Sequence, residues 1–217
     1  LKGLPSSIQV CPLQLPGRES RWREPPPTQL PPLITNLADA IEPLLDVPFA
    51  LFGHSLGALT AFELARELRR RGVRGCLKVL ASARIAPQET SALPPLSGLS
   101  EPAFIAELQA RYHAIPDTIL ADREMMRLLL PVLRADMEMG EKYVHAPEPP
   151  LECPLTVFGG ADDPTVTLSQ LEEWRRQTSA SFTVRMFPGD HFFPRTSREL
   201  FVEAVRDECR MLLREPA

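Results

Sequence analysis

Residues Phe49-Ala50-Leu51-Phe52-Gly53-His54-Ser55-Leu56-Gly57-Ala58 pass from a short apolar run after Pro48 through a serine flanked by two glycines. Leu56, Leu59, Phe62 and Ala65 then recur at helical spacing. That order, strand then sharp turn then helix, restricts the fold more than any other stretch. Gly-x-Ser-x-Gly at such a junction is a nucleophile elbow, in which the turn strains the serine backbone and lifts its hydroxyl clear of the sheet. Gly53 and Gly57 are expected to remove Cβ atoms that would otherwise collide. A helix starting at Ser55 aims free amide groups and its positive dipole end at any oxygen beside the hydroxyl, which makes the Leu56 N–H a candidate oxyanion donor. A Gly/Ser turn without chemistry is the plain alternative, and the flanking strand and helix favour the nucleophile.

The chain has 217 residues, 44% of them hydrophobic, enough to bury a full core as one domain spanning 1–217. A formal net charge of −4 gives no footprint for nucleic acid. No apolar run reaches membrane-spanning length, and Leu1-Lys2-Gly3-Leu4-Pro5 has no signal-peptide core, so a soluble cytoplasmic protein without membrane contact is expected. Cys11, Cys76, Cys153 and Cys209 are scattered with no Cys-x-x-Cys pair and read as small buried hydrophobes, with no metal or cofactor implied. Prolines gather at 25–48 and 147–154, where ordered loops are expected.

In chain order, Ile8–Leu13 reads as a strand or extended segment. A helix from near Pro31 should carry Leu33, Leu37, Ile41 and Leu44 on one face. The elbow helix should run to about Arg71 and stop at Gly72, with a strand at Leu77–Ser82 next. Arg66, Arg69, Arg70, Arg71 and Arg74 cluster at that helix's C-terminal end, as a solvated basic patch or, alternatively, a dock for an acidic partner. Residues 96–143 break the strand-helix rhythm and read as a helical insertion, a candidate lid, with Pro102 and Pro131 as starts or kinks. Met125, Met126, Met137 and Met139 give it a deformable surface suited to acyl chains. A strand at Leu155–Phe158, a helix from Ser169 to Gln177, a strand at Phe182–Phe187 and a closing helix at Thr196–Leu213 complete an α/β chain. Its parallel sheet should hold its site beyond the carboxyl ends of the strands.

A serine hydroxyl needs an imidazole to take its proton and a carboxylate to orient that imidazole. Of four histidines, His54 adjoins the serine and should point away to pack or hydrogen-bond, while His113 and His145 lie in or beside the insertion with no turn motif. His191 follows a strand on a glycine-bearing turn, where an imidazole can swing over the sheet's end. Asp162, Asp163 and Asp190 compete for the acid. Asp163 fits best, with Asp162 kept open because strand ends are uncertain by a few residues. The order Ser55, Asp163, His191 is that of α/β-hydrolases.

The chain resembles the type II thioesterases, the stand-alone editing hydrolases of polyketide and nonribosomal peptide assembly lines. The resemblance rests on Gln14-Leu15-Pro16-Gly17-Arg18-Glu19, Phe49–Ala58 with Ala61–Ala65, Leu129–Asp136, Gly159-Gly160-Ala161-Asp162-Asp163-Pro164 and Phe187-Pro188-Gly189-Asp190-His191-Phe192-Phe193. It implies an α/β-hydrolase fold with a mostly parallel sheet and a helical lid at 96–143. By position it makes Ser55 the nucleophile, Asp163 the acid and His191 the base. It also implies a substrate that composition does not show: an acyl thioester on the phosphopantetheine arm of an acyl or peptidyl carrier protein. Relatives of this kind begin with a further strand-turn-helix unit whose Phe-x-x-Ala-Gly-Gly-like turn supplies a second oxyanion amide. No such turn occurs here, so that unit is expected to be missing. Rival readings are a carboxylesterase or lipase on small esters, a medium-chain acyl-carrier thioesterase of fatty acid synthesis, an integrated product-releasing domain, and an inert hydrolase fold acting as a binding module.

Overall fold

The computed structural model describes residues 4–213. Its elements are α1 (Leu30–Ile41), β1 (Phe49–His54), α2 (Leu56–Arg70), β2 (Cys76–Ser82), α3 (Glu101–Tyr112), α4 (Asp117–Leu120), α5 (Arg123–Glu141), β3 (Leu155–Gly160), α6 (Leu168–Glu172), β4 (Phe182–Phe187), α7 (Phe193–Thr196) and α8 (Arg198–Leu212). The four strands form one parallel sheet in the order β1-β2-β3-β4. The register pairs His54 with Ser82, Ser82 with Phe158 and Gly160 with Phe187, so the carboxyl ends of all four strands open on one rim.

Period-two alternation sorts the strand residues between the two faces. Val79, Ala81, Leu155 and Val157 point to the side covered by Ala58, Phe62 and Ala65 of α2 and by Trp174. Leu80 and Phe158 point to the other side, against Phe187, Phe193, Phe201 and Val205. β3, covered on both faces, is buried along its whole length and reads as an apolar run. On that second face Lys78 and Glu208 form a buried ion pair at 2.6 Å, with the Thr156 hydroxyl donating to the same carboxylate, and this fixes α8 to the sheet.

α1 packs on α2 through Leu30, Leu33, Ile34, Leu37, Ala38 and Ile41. Leu44 does not share that face: Pro43 tightens the chain into a 3-10 turn at Glu42–Leu44, and Leu44 ends 66% exposed. Of the two readings of Ile8–Leu13, a strand or an extended segment, the strand is excluded. Leu4 and Ile8 pack on the α8-side core, while Val10, Cys11 and Leu13 are exposed and no strand pairs with the segment. Cys11 therefore corrects the expectation of a buried hydrophobe. Cys76 and Cys153 are half-buried with sulfurs 4.0 Å apart, and Cys209 is buried. The expected helix at 169–177 divides into α6 and a 3-10 turn at Glu173–Gln177, and the closing helix divides at Ser197.

Residues 96–141 hold three helices around their own core of Leu96, Phe104, Leu108, Ile115, Met126 and Leu130. Pro102 sits in the first turn of α3, where its missing N–H costs nothing, and Pro131 lies inside α5. Met126 belongs to this small core and Met139 to the α1–α2 core, so only part of the methionine surface is free. The α2 arginines are not a free basic patch. Arg66, Arg69 and Arg70 converge on Glu148, and Arg71 spans Glu67, Asp39 and Glu42, fastening the proline-rich segment after α5 and the end of α1 to α2. Among the described residues no helix is long and apolar enough to cross a membrane.

Candidate active site

Ser55 lies between β1 and α2 with φ 55° and ψ −119°, a strained conformation for a residue with a side chain. Its amide donates to the Ser82 carbonyl at 2.7 Å, which fixes the turn to the neighbouring strand. Its hydroxyl does not cap α2 and stays free for another task. Leu56 opens α2, so its N–H is among the amides left without an intrahelical partner. Gly53 is required by close approach: a Cβ there would lie 2.6 Å from the Ala58 nitrogen and closer still to the Gly57 carbonyl. Gly57, expected to matter for the same reason, has open space where its Cβ would be.

Across the rim, Asp163 Oδ2 accepts a 2.8 Å hydrogen bond from His191 Nδ1, and both side chains are buried. An ionised carboxylate only accepts, so Nδ1 carries the proton and Nε2 is left as the basic nitrogen. Burial is the largest influence on the Asp163 carboxyl and pushes it up, but hydrogen bonding and charge from His191 together with the two Thr165 hydrogen bonds outweigh it and hold the carboxyl below its ordinary value. Gly160 lets the His191 turn descend onto β3, since a Cβ there would lie 2.6 Å from the Gly189 carbonyl. The competing carboxylates are engaged elsewhere: Asp162 accepts from the Gly189 amide at 3.2 Å and Asp190 from the Phe192 amide at 2.9 Å.

His54 does not point away from the site. Its ring centroid lies 5.1 Å from that of His191, and its Nδ1 meets the Ser82 hydroxyl at 2.9 Å. Its Nε2 is buried without a partner. Burial first, and the neighbouring His191 second, push the His54 pKa down to about 4. The folded state therefore refuses a proton that the unfolded chain accepts below about pH 6.5. Stability is expected to fall as pH drops from 6.5 towards 4, by up to about 3 kcal/mol in total. Urea unfolding at pH 7, 6 and 5 reads this slope, and His54→Gln should remove most of it. An unchanged slope in that variant would show that another group titrates. His113 ends α3 in a left-handed conformation and is exposed, and His145 lies beside Arg66 with its pKa lowered chiefly by burial.

Two residues escaped the sequence reading. Thr165 donates from both its amide, at 2.8 Å, and its hydroxyl, at 2.7 Å, to Asp163 Oδ1. The signal was present as Asp-x-Thr after a strand, the pattern of an Asx-turn. Thr165→Val removes one hydrogen bond to a charged group, with an expected loss of about 1.5–3 kcal/mol at pH 7 and an Asp163 carboxyl that protonates at higher pH. Denaturant unfolding of both proteins at pH 7 and pH 4 measures this, and equal stabilities at pH 7 would refute it. Tyr112 packs edge-on against His191 with ring centroids 4.9 Å apart, a contact across 79 residues that no local pattern announces.

The family model described as a thioesterase domain matches residues 2–209. The gramicidin S biosynthesis protein GrsT of Aneurinibacillus migulanus is 43% identical over 96% of this chain and 81% of its own length. Among solved structures, the RedJ thioesterase from the prodiginine pathway of Streptomyces coelicolor superposes with a TM-score of 0.86 at 38% identity, covering 94% of this chain and 76% of that one. The type II thioesterase BorB from the borrelidin biosynthetic cluster superposes with a TM-score of 0.77 at 33% identity, covering 91% and 77%.

Proposed function

The chain belongs to the thioesterase domain family, and from that premise we propose that it is a type II thioesterase that uses Ser55, His191 and Asp163 to clear acyl groups from the phosphopantetheine arms of carrier proteins. The substrate is an acyl thioester of polyketide or nonribosomal peptide synthesis, as the biosynthetic origins of GrsT, RedJ and BorB suggest. The observation that carries the catalytic reading is the buried Asp163–His191 hydrogen bond, on the rim from which the strained Ser55 projects.

In this reading His191 Nε2 takes the Ser55 proton as Oγ attacks the thioester carbonyl. Asp163 stabilises the resulting imidazolium, and the Leu56 N–H, aided by the positive end of α2, stabilises the oxyanion. Collapse of the tetrahedral intermediate breaks the C–S bond, and His191 returns its proton to the departing pantetheine thiol. His191 then activates water, which attacks the acyl-serine and releases the free acid and Ser55.

The test compares hydrolysis of an acyl-carrier thioester with that of a small oxygen ester of the same acyl group. A kcat/KM at least about tenfold higher for the carrier thioester is expected, reflecting binding energy from the arm and carrier. Selective turnover of the small ester would instead make the protein an esterase. Labelling by a fluorophosphonate at Ser55 is expected as well, and a folded protein that stays unlabelled would be an inert binding module.

A further inference from the structure

Cys76 opens β2 and Cys153 lies two residues before β3, 77 positions apart in the chain, yet their sulfurs meet at 4.0 Å. A register shift brings them together. By strict alternation Cys76 would share the α8 face of the sheet with Lys78 and Leu80. Between the pairs Phe49–Cys76 and Ala50–Lys78, however, β2 carries one extra residue, Leu77, and such a bulge re-aims the side chain beside it. Cys76 therefore packs on the α2 face, against the core of Val79, Leu155 and Val157, and Cys153 packs against the same core. Cys153 is held from its own side as well: the Thr178 hydroxyl donates to its carbonyl at 2.7 Å, and the Leu151 amide donates to the Gln177 carbonyl at 2.9 Å.

A small hydrophobe would fill either position, but packing does not explain two ionisable sulfurs in contact. The backbones that carry them run side by side, with the Val79 amide donating to the Pro154 carbonyl at 3.1 Å. Neighbouring strands lie about 4.7–4.9 Å apart, inside the Cα separation that a disulfide spans, so the sulfurs need to close by only about 2 Å through side-chain rotation. Both thiols are half-buried, open enough for a small oxidant. Cys153 is the readier thiolate: a hydrogen bond from Cys76 favours its ionised form most, burial opposes it, and the charges of Arg69 and Lys78 also favour it. Donating that bond, and burial after it, push the Cys76 thiol up. The attacking sulfur is then Cys153, and Cys76 is the sulfur that resolves.

We propose that Cys76 and Cys153 form a redox-active dithiol that hydrogen peroxide converts to a disulfide, a modification that fastens β2 to β3 at the end of the sheet opposite the catalytic rim. The Cys153 thiolate attacks one peroxide oxygen, the O–O bond breaks and hydroxide leaves, giving a sulfenic acid. That hydroxide takes up the proton released when Cys153 ionised. The Cys76 sulfur then attacks the Cys153 sulfur, the S–S bond forms, the S–O bond breaks, and the Cys76 proton leaves with the oxygen as a second water. Two thiols and one peroxide thus give one disulfide and two waters, with two electrons passing to oxygen. The closed loop contains β2 and the helices of residues 96–141, so the bridge restricts the unfolded chain and raises the unfolding temperature. Cys76 lies about 20 Å from Ser82 along β2, so turnover at the rim is left unchanged.

The experiment treats the full chain with a small excess of hydrogen peroxide and reads intact mass, thiol titration under denaturing conditions and thermal unfolding. The protein is expected to lose two of its four free thiols and two hydrogens in mass, to yield a proteolytic peptide linking Cys76 to Cys153, and to recover fully with dithiothreitol. Its unfolding midpoint should rise by about 4 °C or more, and hydrolysis of an acyl-carrier thioester should stay within about twofold. Cys76→Ser should stop at a Cys153 sulfenic acid that dimedone captures, with no rise in the midpoint. Oxidation that consumes the exposed Cys11 and yields no Cys76–Cys153 peptide would overturn the proposal, as would a bridge that leaves the midpoint unchanged or abolishes turnover. Mass and unfolding are read without any turnover, so failure of the hydrolase reading is distinguishable from failure of this one.

Discussion

Replacing Ser55 by alanine is expected to lower kcat on an acyl-carrier thioester by about 10⁶-fold, leaving a residue of roughly 10³–10⁴ over water from substrate positioning and the oxyanion donors. The loss is large because the hydroxyl supplies the bond-forming atom. The fold should survive. The Ser55 hydroxyl does not cap α2, and the amide that ties the elbow to Ser82 belongs to the backbone, which alanine retains. Thermal unfolding should therefore shift by no more than about 4 °C, the effect of roughly 1 kcal/mol or less in a domain of this size. Single-turnover hydrolysis and calorimetry of Ser55→Ala check both halves. Retention of more than about 1% of activity would mean that the chemistry lies elsewhere.

Gly53→Ala should have the largest effect on stability. The added methyl would meet the backbone of Gly57 and Ala58 at the first turn of α2, and backbone cannot swing aside as a flexible side chain can. The helix must shift relative to β1, with an expected cost above about 4 kcal/mol, beyond the ordinary range for one substitution. Gly57→Ala makes the contrast. Its methyl points into open space on a helical backbone, so stability should be unchanged or gain about 0.4–1 kcal/mol from the stiffer unfolded chain. Guanidinium unfolding of the two variants side by side tests this. Similar losses at both positions would refute the asymmetry.

Much of the architecture was readable because it is encoded locally. The apolar run before Gly53, the helical spacing of Leu56, Leu59 and Phe62, and the later alternation of strands and helices each need only a few neighbouring residues, and all four strands lie where those patterns put them. The misreadings came where a local pattern met a longer-range requirement. Val10, Cys11 and Leu13 have strand-like composition, but a strand exists only where another backbone answers its hydrogen bonds, and none pairs with theirs. Leu44 continued the apolar spacing of α1, yet Pro43 tightened the chain before that spacing could take effect. The arginines of α2 looked like a free cationic surface because Glu148, their shared partner, lies about eighty residues away.

The order Ser55, Asp163, His191 and the strand ends that carry them were set by the sequence alone, since a strand's polarity and the turn after it depend on adjacent residues. Which carboxylate meets the imidazole was decided only in three dimensions. Asp162, Asp163 and Asp190 are chemically alike, and the descent of the His191 turn onto Gly160 brings Asp163 to Nδ1 while backbone amides occupy the other two. The same holds for Thr165 behind Asp163. A hydrogen bond or an ion pair is a relation between groups that folding brings within about 3–4 Å, and a chain read residue by residue carries the groups but not that distance.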